Sequence, residues 1–308
     1  MYDLIIIGAG PAGLTASIYA SRYRLNNLVI GSQLGGTITL AHQVENFPGF
    51  TAISGLDLAN KMADQVKKLG ADIILTGVDW LEKITGGYRV IENGGDNRAW
   101  ETKTLIVTTG TERRKLNIPG EKEYLGRGVS YCTNCDAPFF KDKIVALIGG
   151  ADAAVSGAIH AAGFARQVYI IYRKDHLRAE PAWNEQALSN PKIEVIYRTN
   201  VVEILGDGQK VTRVKLDQPY GGSNLLSTDG VFIEIGGTPG SNLLARLGGQ
   251  VDPASYVVVN EKMETNLPGI FAAGDFTNQS KYLAQAVIAC AQGATAAFSA
   301  FKYLKSLR

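Results

Sequence analysis

The stretch Tyr2-Asp-Leu-Ile-Ile-Ile7-Gly8-Ala-Gly10-Pro-Ala-Gly13 opens the chain, and a run with helical spacing follows to about Arg24. Its apolar residues continue without alternation, which predicts a buried parallel strand over residues 2–7. Gly8 suits a tight turn, Gly10 lets the backbone approach a pyrophosphate, and Gly13 lets strand and helix pack closely. The order of strand, glycine turn and helix therefore predicts a dinucleotide-binding unit. The acid expected after the next strand is replaced by Gly31-Ser32.

The same design recurs in the middle of the chain. A strand at Lys143–Gly149 runs into Gly149-Gly150-Ala151-Asp152-Ala153-Ala154, and a helix and the strand Gln167–Tyr172 follow. This internal repeat predicts an α/β fold with two Rossmann-like, three-layer dinucleotide-binding domains. Breaks near residues 115–119 and 236–240 mark the predicted domain boundaries.

Smaller elements are predicted from local pattern. They are helices at 56–69 and 282–304, strands at 105–110, 193–204, 210–217, 230–236 and 256–260, and a turn at Gly94–Asn97.

Composition limits the classes of function. The chain has 308 residues, 45% of them hydrophobic and 19% charged, with a net charge of +2. This charge is too small to predict binding to nucleic acid or a membrane surface. Apolar runs stay below the ~18 residues of a membrane span. The chain start lacks a basic segment, and cysteines are few, so we expect a protein of the reducing cytoplasm.

The motif Cys132-Thr-Asn-Cys135-Asp136 admits three interpretations. A redox-active pair is favoured, because a Cys-x-x-Cys frame commonly lowers a thiol pKa and Asp136 can carry a proton. An inert structural disulfide is the second. A zinc site is the third, and it needs further ligands, whereas the remaining cysteine and the histidines are scattered. These are Cys290, His42, His160 and His176.

Several ordered motifs make the whole chain resemble the low-molecular-weight thioredoxin reductases, flavoproteins that reduce thioredoxin through FAD and a cysteine pair. The motifs are Gly8–Gly13, Gly35-Gly36 through Val44-Glu45-Asn46-Phe47-Pro48-Gly49, Thr109-Gly110-Thr111, Ile118-Pro-Gly-Glu121, Cys132–Asp136, Gly269–Asp275 and Gln285-Ala286.

The resemblance implies an FAD domain in two pieces, residues 1–116 and 240–308. An NADPH-type domain with the cysteine pair, residues 117–239, is inserted between them. Family members are homodimers whose inserted domain swings about its junctions. The implied FAD contacts are Gly8, Gly10, Pro11, Ala12, Gly13, Gly35, Gly36, Asn46, Thr109, Gly110, Gly274, Asp275, Gln285 and Ala286.

The same resemblance assigns roles to the motif that carries the cysteines. Cys135 would face the flavin, Cys132 would attack the thioredoxin disulfide, and Asp136 would donate and accept the proton. Taken alone, Asp136 also suits a helix cap and Asp275 a turn. Cys290, on an apolar helix, suits a buried core thiol.

The inserted domain departs from the family pattern where NADPH would bind. Ala151 stands where the family's NADPH fingerprint has glycine at its third position, and Tyr172 and Lys174 replace a histidine and an arginine of the 2′-phosphate cluster. Ser156-Gly157 replaces paired glutamates, whereas Arg173 and Arg178 remain.

These changes make NADPH doubtful and leave four hypotheses. The first is a thioredoxin reductase with another donor, such as reduced ferredoxin. The second is an ordinary NADPH-dependent enzyme. A flavin-binding redox sensor without turnover is the third. A ferredoxin–NADP reductase is the fourth, and it would not need the cysteines.

Overall fold

A computed structural model describes residues 1–92 and 98–307. The predicted turn at Gly94–Asn97 lies outside the described residues. The chain divides into two compact units. The split unit comprises Met1–Thr39, Gln43–Glu112 and Thr238–Arg308, and the inserted unit comprises Leu40–His42 and Arg113–Gly237.

The split unit is built on a largely parallel sheet. Strand β1 is central, with Ile6 paired to Val29 on one side and to Ile106 on the other. Leu4, Ile5 and Ile6 are fully buried, as expected for a strand covered on both faces. The strand order is β3-β2-β1-β6-β5-β4, with β17 also paired to β6. The strands are β1 (Tyr2–Ile7), β2 (Asn27–Ile30), β3 (Asp72–Ile74), β4 (Val78–Ile84), β5 (Gly87–Glu92), β6 (Ala99–Val107) and β17 (Ile270–Ala272).

Two helices of the split unit pack closely against each other. Helix α1 begins at Pro11, where a proline loses no hydrogen bond. Gly293 permits the close crossing with α7, since a Cβ there would lie 2.1 Å from the Ala12 carbonyl oxygen. Ser54 caps α2 by accepting the Asp57 N–H. The helices are α1 (Pro11–Arg22), α2 (Gly55–Lys68), α6 (Asn242–Arg246) and α7 (Ala286–Ser306), and 3-10 turns lie at Gly36–Leu40 and Asn278–Ser280.

The inserted unit repeats the parallel sheet and adds an antiparallel one. The parallel order is β11-β10-β9-β15-β8, and the antiparallel order is β12-β13-β14. Short strands β7 and β16 pair with each other where the chain passes between the units. The strands are β7 (Thr111–Arg113), β8 (Val129–Ser130), β9 (Ile144–Ile148), β10 (Gln167–Tyr172), β11 (Ile193–Tyr197), β12 (Val201–Gly206), β13 (Val211–Tyr220), β14 (Ser223–Ser227), β15 (Gly230–Ile233) and β16 (Gly237–Pro239).

Small residues let a helix of the inserted unit lie close to its sheet and to the cysteine motif. Ala158, Ala161 and Ala162 of α4 are buried against β9 and β10. Gly157 leaves room for Thr133, whose hydroxyl oxygen would lie 3.2 Å from an added Cβ. The helices are α3 (Thr133–Asp136), α4 (Asp152–Ala162) and α5 (Pro181–Ser189), with a 3-10 turn at Ala137–Phe140.

The elements differ from the predictions in four places. Residues 193–204, predicted as one strand, form β11 and β12 in different sheets, because the chain leaves the parallel sheet after Tyr197. The strand predicted at Tyr256–Asn260 is wrong: Val257 makes isolated bridges to Val251 and Thr277. Helix α7 begins at Ala286 rather than 282, and it ends at Ser306 rather than 304. In the described part of the chain, no helix is long and apolar enough to cross a membrane.

Candidate active site

In the first glycine turn, two of the three glycines have no room for a side chain. Gly8 has φ of 118°, and a Cβ there would lie 2.2 Å from the Thr108 carbonyl oxygen. A Cβ at Gly13 would lie 1.9 Å from the Gly8 oxygen. At Gly10, by contrast, the nearest protein atom to an added Cβ is the Gly35 oxygen at 3.7 Å. The space beside Gly10 is therefore open, at the N-terminus of α1, where a pyrophosphate would approach.

A second loop is tied to this turn. The Gly35 N–H donates to the Ala9 carbonyl oxygen over 2.7 Å. Gly35 and Gly36 both have positive φ, of 78° and 57°. A Cβ at Gly36 would lie 3.5 Å from the Gly10 Cα, so the two glycine segments face each other closely.

The loop after β17 lies over the start of α1. Gly274 has φ of 97°, and a Cβ there would lie 3.2 Å from the Ala12 Cβ. The buried Gln292 of α7 accepts the Gly274 N–H over 2.8 Å, so it holds this loop. Sequence reasoning missed Gln292; its polar amide on a largely apolar helix was the available signal.

Asp275 places a carboxylate oxygen in the interior. Its Oδ1 is buried and has no hydrogen-bond partner among the described residues. Burial raises the pKa of this carboxyl. A buried acceptor of this kind needs a donor, and a hydroxyl of a bound molecule would supply it.

The remaining predicted FAD residues form two further pairs. Asn46 Nδ2 lies 3.4 Å from Gln285 Oε1, directly before Ala286 begins α7. The Thr109 hydroxyl donates to the Gly240 oxygen over 2.8 Å, and the Gly240 N–H donates to the Gly110 oxygen over 2.9 Å. Cys290 is half-buried, its Sγ lies 3.7 Å from the Pro11 oxygen, and burial raises the pKa of its thiol.

These features fit FAD. An open glycine turn at a helix N-terminus suits the pyrophosphate, and the unpartnered Asp275 oxygen suits a ribityl hydroxyl. The structure brings the turn, the Gly35-Gly36 loop and the Gly274-Asp275 loop together within the split unit.

The inserted unit carries the cysteine pair as a disulfide. The Cα atoms of Cys132 and Cys135 are 5.3 Å apart, within the range of ordinary disulfides. Cys132 caps α3, and its Sγ accepts the Cys135 N–H over 3.2 Å. Asp136 follows directly, and its N–H donates to the Cys132 oxygen. Across the described ranges, His, Cys, Asp and Glu side chains form no cluster of three that could hold a metal ion.

A cavity of about 380 Å³ lies beside Cys132, and its lining is mostly apolar. It is large enough for a side chain of a partner protein to enter. The lining residues are Leu40, Arg113, Leu125, Gly126, Val129, Ser130, Tyr131, Cys132 and Asp136.

Two buried glutamates brace the cysteine motif, and sequence reasoning gave neither a role. Glu121 accepts the N–H groups of Leu116 and Asn117 and the hydroxyl of Tyr131, the last over 2.6 Å. Burial is the main cause that raises the pKa of Tyr131, and the Glu121 carboxylate raises it further. The Tyr131 hydroxyl therefore stays neutral and donates a hydrogen bond. Glu234 accepts the Thr133 hydroxyl over 3.2 Å.

The second glycine turn has the backbone of the first but different side chains. Gly149 has φ of 144°, and a Cβ there would lie 2.2 Å from the Glu234 carbonyl oxygen. Ala151 occupies the third position, and its methyl group is exposed. A Cβ at Gly150 would lie 2.5 Å from the ring of Tyr172, so that ring lies directly against the turn.

Arg178, which the family resemblance places near the 2′-phosphate, is exposed and makes two hydrogen bonds within the protein. Its Nε donates to the Tyr172 hydroxyl over 2.8 Å, and its N–H donates to the Gly150 oxygen. Arg173 and Lys174 are exposed, and His176 pairs with Asp175 over 2.7 Å.

Comparisons with known proteins agree with this arrangement. The family model of the pyridine nucleotide-disulphide oxidoreductases matches residues 2–293. A thioredoxin reductase of Listeria innocua is 41% identical over 311 residues, spanning 100% of this chain and 95% of that protein.

Two solved structures extend the likeness to the fold. Lactococcus lactis thioredoxin reductase in its FR conformation has a TM-score of 0.94 at 35% identity, covering 99% of this chain and 100% of that one. A ferredoxin-flavin thioredoxin reductase of Clostridium acetobutylicum has a TM-score of 0.53 at 33% identity, covering 99% and 98%. This chain therefore belongs to the pyridine nucleotide-disulphide oxidoreductases, as a flavoprotein disulfide oxidoreductase of the thioredoxin reductase type.

Proposed function

We propose that the protein reduces thioredoxin, or a similar small disulfide protein, with electrons from a donor other than NADPH, such as reduced ferredoxin. The observation that carries the choice of donor is Ala151. Its exposed methyl group occupies the position at which the first turn keeps Gly10 open.

The two turns form a matched pair within one chain. Gly10 and Ala151 have nearly the same backbone, with φ/ψ of −81°/−175° and −107°/−177°. The difference lies in the methyl group, which stands between the backbone N–H groups of the turn and a pyrophosphate. The first turn thus suits a dinucleotide, and the second resists one.

Tyr172 and Arg178 add to this obstruction. The Tyr172 ring is buried against Gly150, and its hydroxyl accepts the Nε–H of Arg178, so this one donor of the guanidinium is not available to a 2′-phosphate. Recognition of a 2′-phosphate through Nε of Arg178 would have to break this contact.

The chain's own residues would perform the exchange with the partner disulfide. Cys132, beside the cavity, would attack the partner as a thiolate, and Cys135 would resolve the mixed disulfide. Asp136 lines the same cavity and would hold or return the proton of the departing sulfur.

The split unit would hold the cofactor. Gly8, Gly10 and Gly13 would receive the pyrophosphate, and Asp275 would accept a ribityl hydroxyl. When bound, FAD would supply the electron carrier between the donor and the disulfide. A ferredoxin donor is compatible with this fold, as the name and the 33% identity of the Clostridium acetobutylicum relative indicate.

Anaerobic titration of the purified protein, followed by flavin absorption, tests the donor. We expect little bleaching with NADPH, and full bleaching with dithionite-reduced ferredoxin or, through the cysteines, with dithiothreitol. Thioredoxin turnover should be at least tenfold faster with ferredoxin. A Cys132→Ser variant should lose that turnover but keep the bound flavin.

Fast bleaching by stoichiometric NADPH would contradict the proposal and favour the second candidate, an ordinary NADPH-dependent enzyme. One observation favours that candidate: Arg173 remains exposed, and the second glycine turn keeps nearly the same backbone as the first. Full turnover in Cys132→Ser would instead favour a protein whose cysteines are not the working centre.

We also propose that the protein is a homodimer and that an aromatic face on α1 and α7 mediates it. Tyr23 stacks on Phe301, with ring centroids 4.8 Å apart, and contacts Phe298 at 6.0 Å. Tyr19 and Phe298 are 41% and 47% exposed, which is a large apolar exposure for two adjacent helices.

A further inference from the structure

Glu234 joins three segments of the inserted unit at one buried carboxylate. It follows β15 directly and is 6% exposed. Its Oε1 accepts the Thr133 hydroxyl over 3.2 Å, and its Oε2 pairs with the Arg113 guanidinium at the end of β7. Such a burial is costly unless each oxygen is bonded, and here each one is.

The contact with Thr133 reaches the redox motif itself. Thr133 lies between the two cysteines and is the first residue of α3, which Cys132 caps. A carboxylate that holds Thr133 therefore also fixes the backbone from which the Cys132 sulfur projects.

We propose that Glu234 is a positioning residue of the disulfide centre, which through Thr133 and by its negative charge opposes thiolate formation at Cys132. The proposal rests on the proposed role of Cys132 and Cys135 as the working pair. It concerns a residue outside the motif and outside the implied FAD contacts.

The consequence follows from the chemistry of reduction. Two electrons enter the S–S bond, which breaks, and water supplies two protons to give two thiols, or one proton when Cys132 remains a thiolate. A carboxylate linked to the motif through Thr133 would disfavour the thiolate, so it would raise the pKa of that thiol and destabilise the reduced form at alkaline pH. Replacing the carboxylate with an amide would leave the Arg113 charge unpaired, and it would favour the thiolate.

Other titratable groups face the motif. Asp136 belongs to α3 itself. From α4, His160 bonds the backbone of Asn134, and its ring lies 4.0 Å from that of His42. Burial is the main cause that lowers the pKa of His160 from 6.5, and His42 lowers it further. The His160 ring is therefore neutral above pH 7. Burial raises the pKa of Glu234 against the opposing effect of Arg113.

The decisive variant is Glu234→Gln, which keeps the shape of the side chain and removes its charge. In reduced, FAD-loaded protein carrying Cys135→Ser and Cys290→Ser, the rate of Cys132 alkylation by iodoacetamide is followed from pH 7 to 10. We expect Glu234→Gln to lower the apparent pKa by about one unit. With both redox cysteines present, the equilibrium with dithiothreitol at pH 9 should shift about tenfold towards the dithiol.

Glu92→Gln is the matched control. Glu92 is a buried carboxylate paired with Arg98 in the split unit, so it shares the burial and the ion pair without contact to the motif. It should change either quantity by less than about twofold. If Glu234 had a purely structural role, Glu234→Gln would alter thermal stability and leave the apparent pKa of Cys132 and the dithiothreitol equilibrium unchanged.

If Glu234→Gln does not fold, Thr133→Val decides, because it removes the hydroxyl link with little change of volume. We expect about a threefold shift of the dithiothreitol equilibrium in the same direction. An unchanged equilibrium and alkylation profile, in whichever variant folds, overturns the proposal. Failure of the proposed function gives a different result: wild-type flavin would not bleach with dithiothreitol at all.

Discussion

At the scale of single residues, Asp275 is a group whose energetics depend on the cofactor. Its folded-state pKa is raised by burial, so without FAD the ionised carboxylate destabilises the fold. This loss grows as the pH rises from the unfolded pKa through the raised folded one, and it is complete above the folded pKa. A hydroxyl donated by the ribityl chain would offset it.

Asp275→Asn should therefore weaken FAD binding about ten- to a hundredfold, which is the worth of a hydrogen bond to a charged group. The apoprotein should keep or gain thermal stability at pH 7, because no charge is then buried. Flavin fluorescence titration of the apoprotein and thermal melts from pH 4 to 8 measure both effects. Asp207→Asn, at an exposed turn, is the control; equal losses of affinity in the two variants would contradict this role.

The two cysteines are also distinguishable one residue at a time. Cys132 lines the cavity, whereas Cys135 is exposed and donates its N–H to the Cys132 sulfur. A thiol that attacks the partner leaves a trapped mixed disulfide when its resolving partner is removed.

Reduced Cys135→Ser should therefore form a stable mixed disulfide with oxidised thioredoxin, and Cys132→Ser should form at least tenfold less. Non-reducing electrophoresis with mass spectrometry of the linked peptides measures the yield. Preferential trapping in Cys132→Ser would reverse the assigned order of attack.

At the scale of elements, the paired glycine turns separate folding from binding. An added Cβ at Gly10 meets only the Gly35 oxygen at 3.7 Å, and the backbone there is extended. A Cβ at Gly8 meets the Thr108 oxygen at 2.2 Å, where φ is also positive. The methyl group added by Gly10→Ala should thus interfere with cofactor binding, and the one added by Gly8→Ala should disrupt the fold.

Gly10→Ala should lower FAD affinity at least a hundredfold while changing apoprotein stability by less than about 0.5 kcal/mol. The mirrored change, Ala151→Gly, should increase the rate of NADPH-driven flavin reduction several-fold. Stopped-flow absorbance and chemical denaturation measure these effects, with Gly8→Ala as the variant expected not to fold. An unaltered NADPH rate would show that Tyr172 and Arg178, rather than the methyl, form the main obstruction.

Elements with a strong local period were predictable, and those set by tertiary contacts were not. The continuous apolar run of β1 and the glycines after it indicated both strand and turn, because few structures satisfy both patterns. The segment 256–260 has strand composition but makes only isolated bridges, since its partners come from distant loops.

The candidate site divides in the same way. The motif residues, Glu121 among them, were identified through the family resemblance, but the supporting roles of Gln292, Glu121 and Glu234 were not. Their roles depend on which loop the fold brings beside them. The local sequence around a single polar residue does not indicate that tertiary partner.

At the scale of the whole molecule, the aromatic face on α1 and α7 is the surface that a second copy would cover. Burying Tyr19 and Phe298 removes apolar surface from water, and a charge at Phe298 would have to be desolvated in the same place. Phe298→Asp should therefore convert the proposed homodimer to a monomer, raising the dimer dissociation constant at least a hundredfold.

Light scattering coupled to size exclusion, over a protein concentration series, measures this change. Phe139→Asp is the matched control: Phe139 is 81% exposed but lies in the inserted unit, just after the cysteine motif. It should leave the mass unchanged while weakening turnover with thioredoxin, if the partner docks beside Cys132. A wild-type protein that remains monomeric at micromolar concentration would overturn the homodimer, and a Phe298→Asp dimer would place its interface elsewhere.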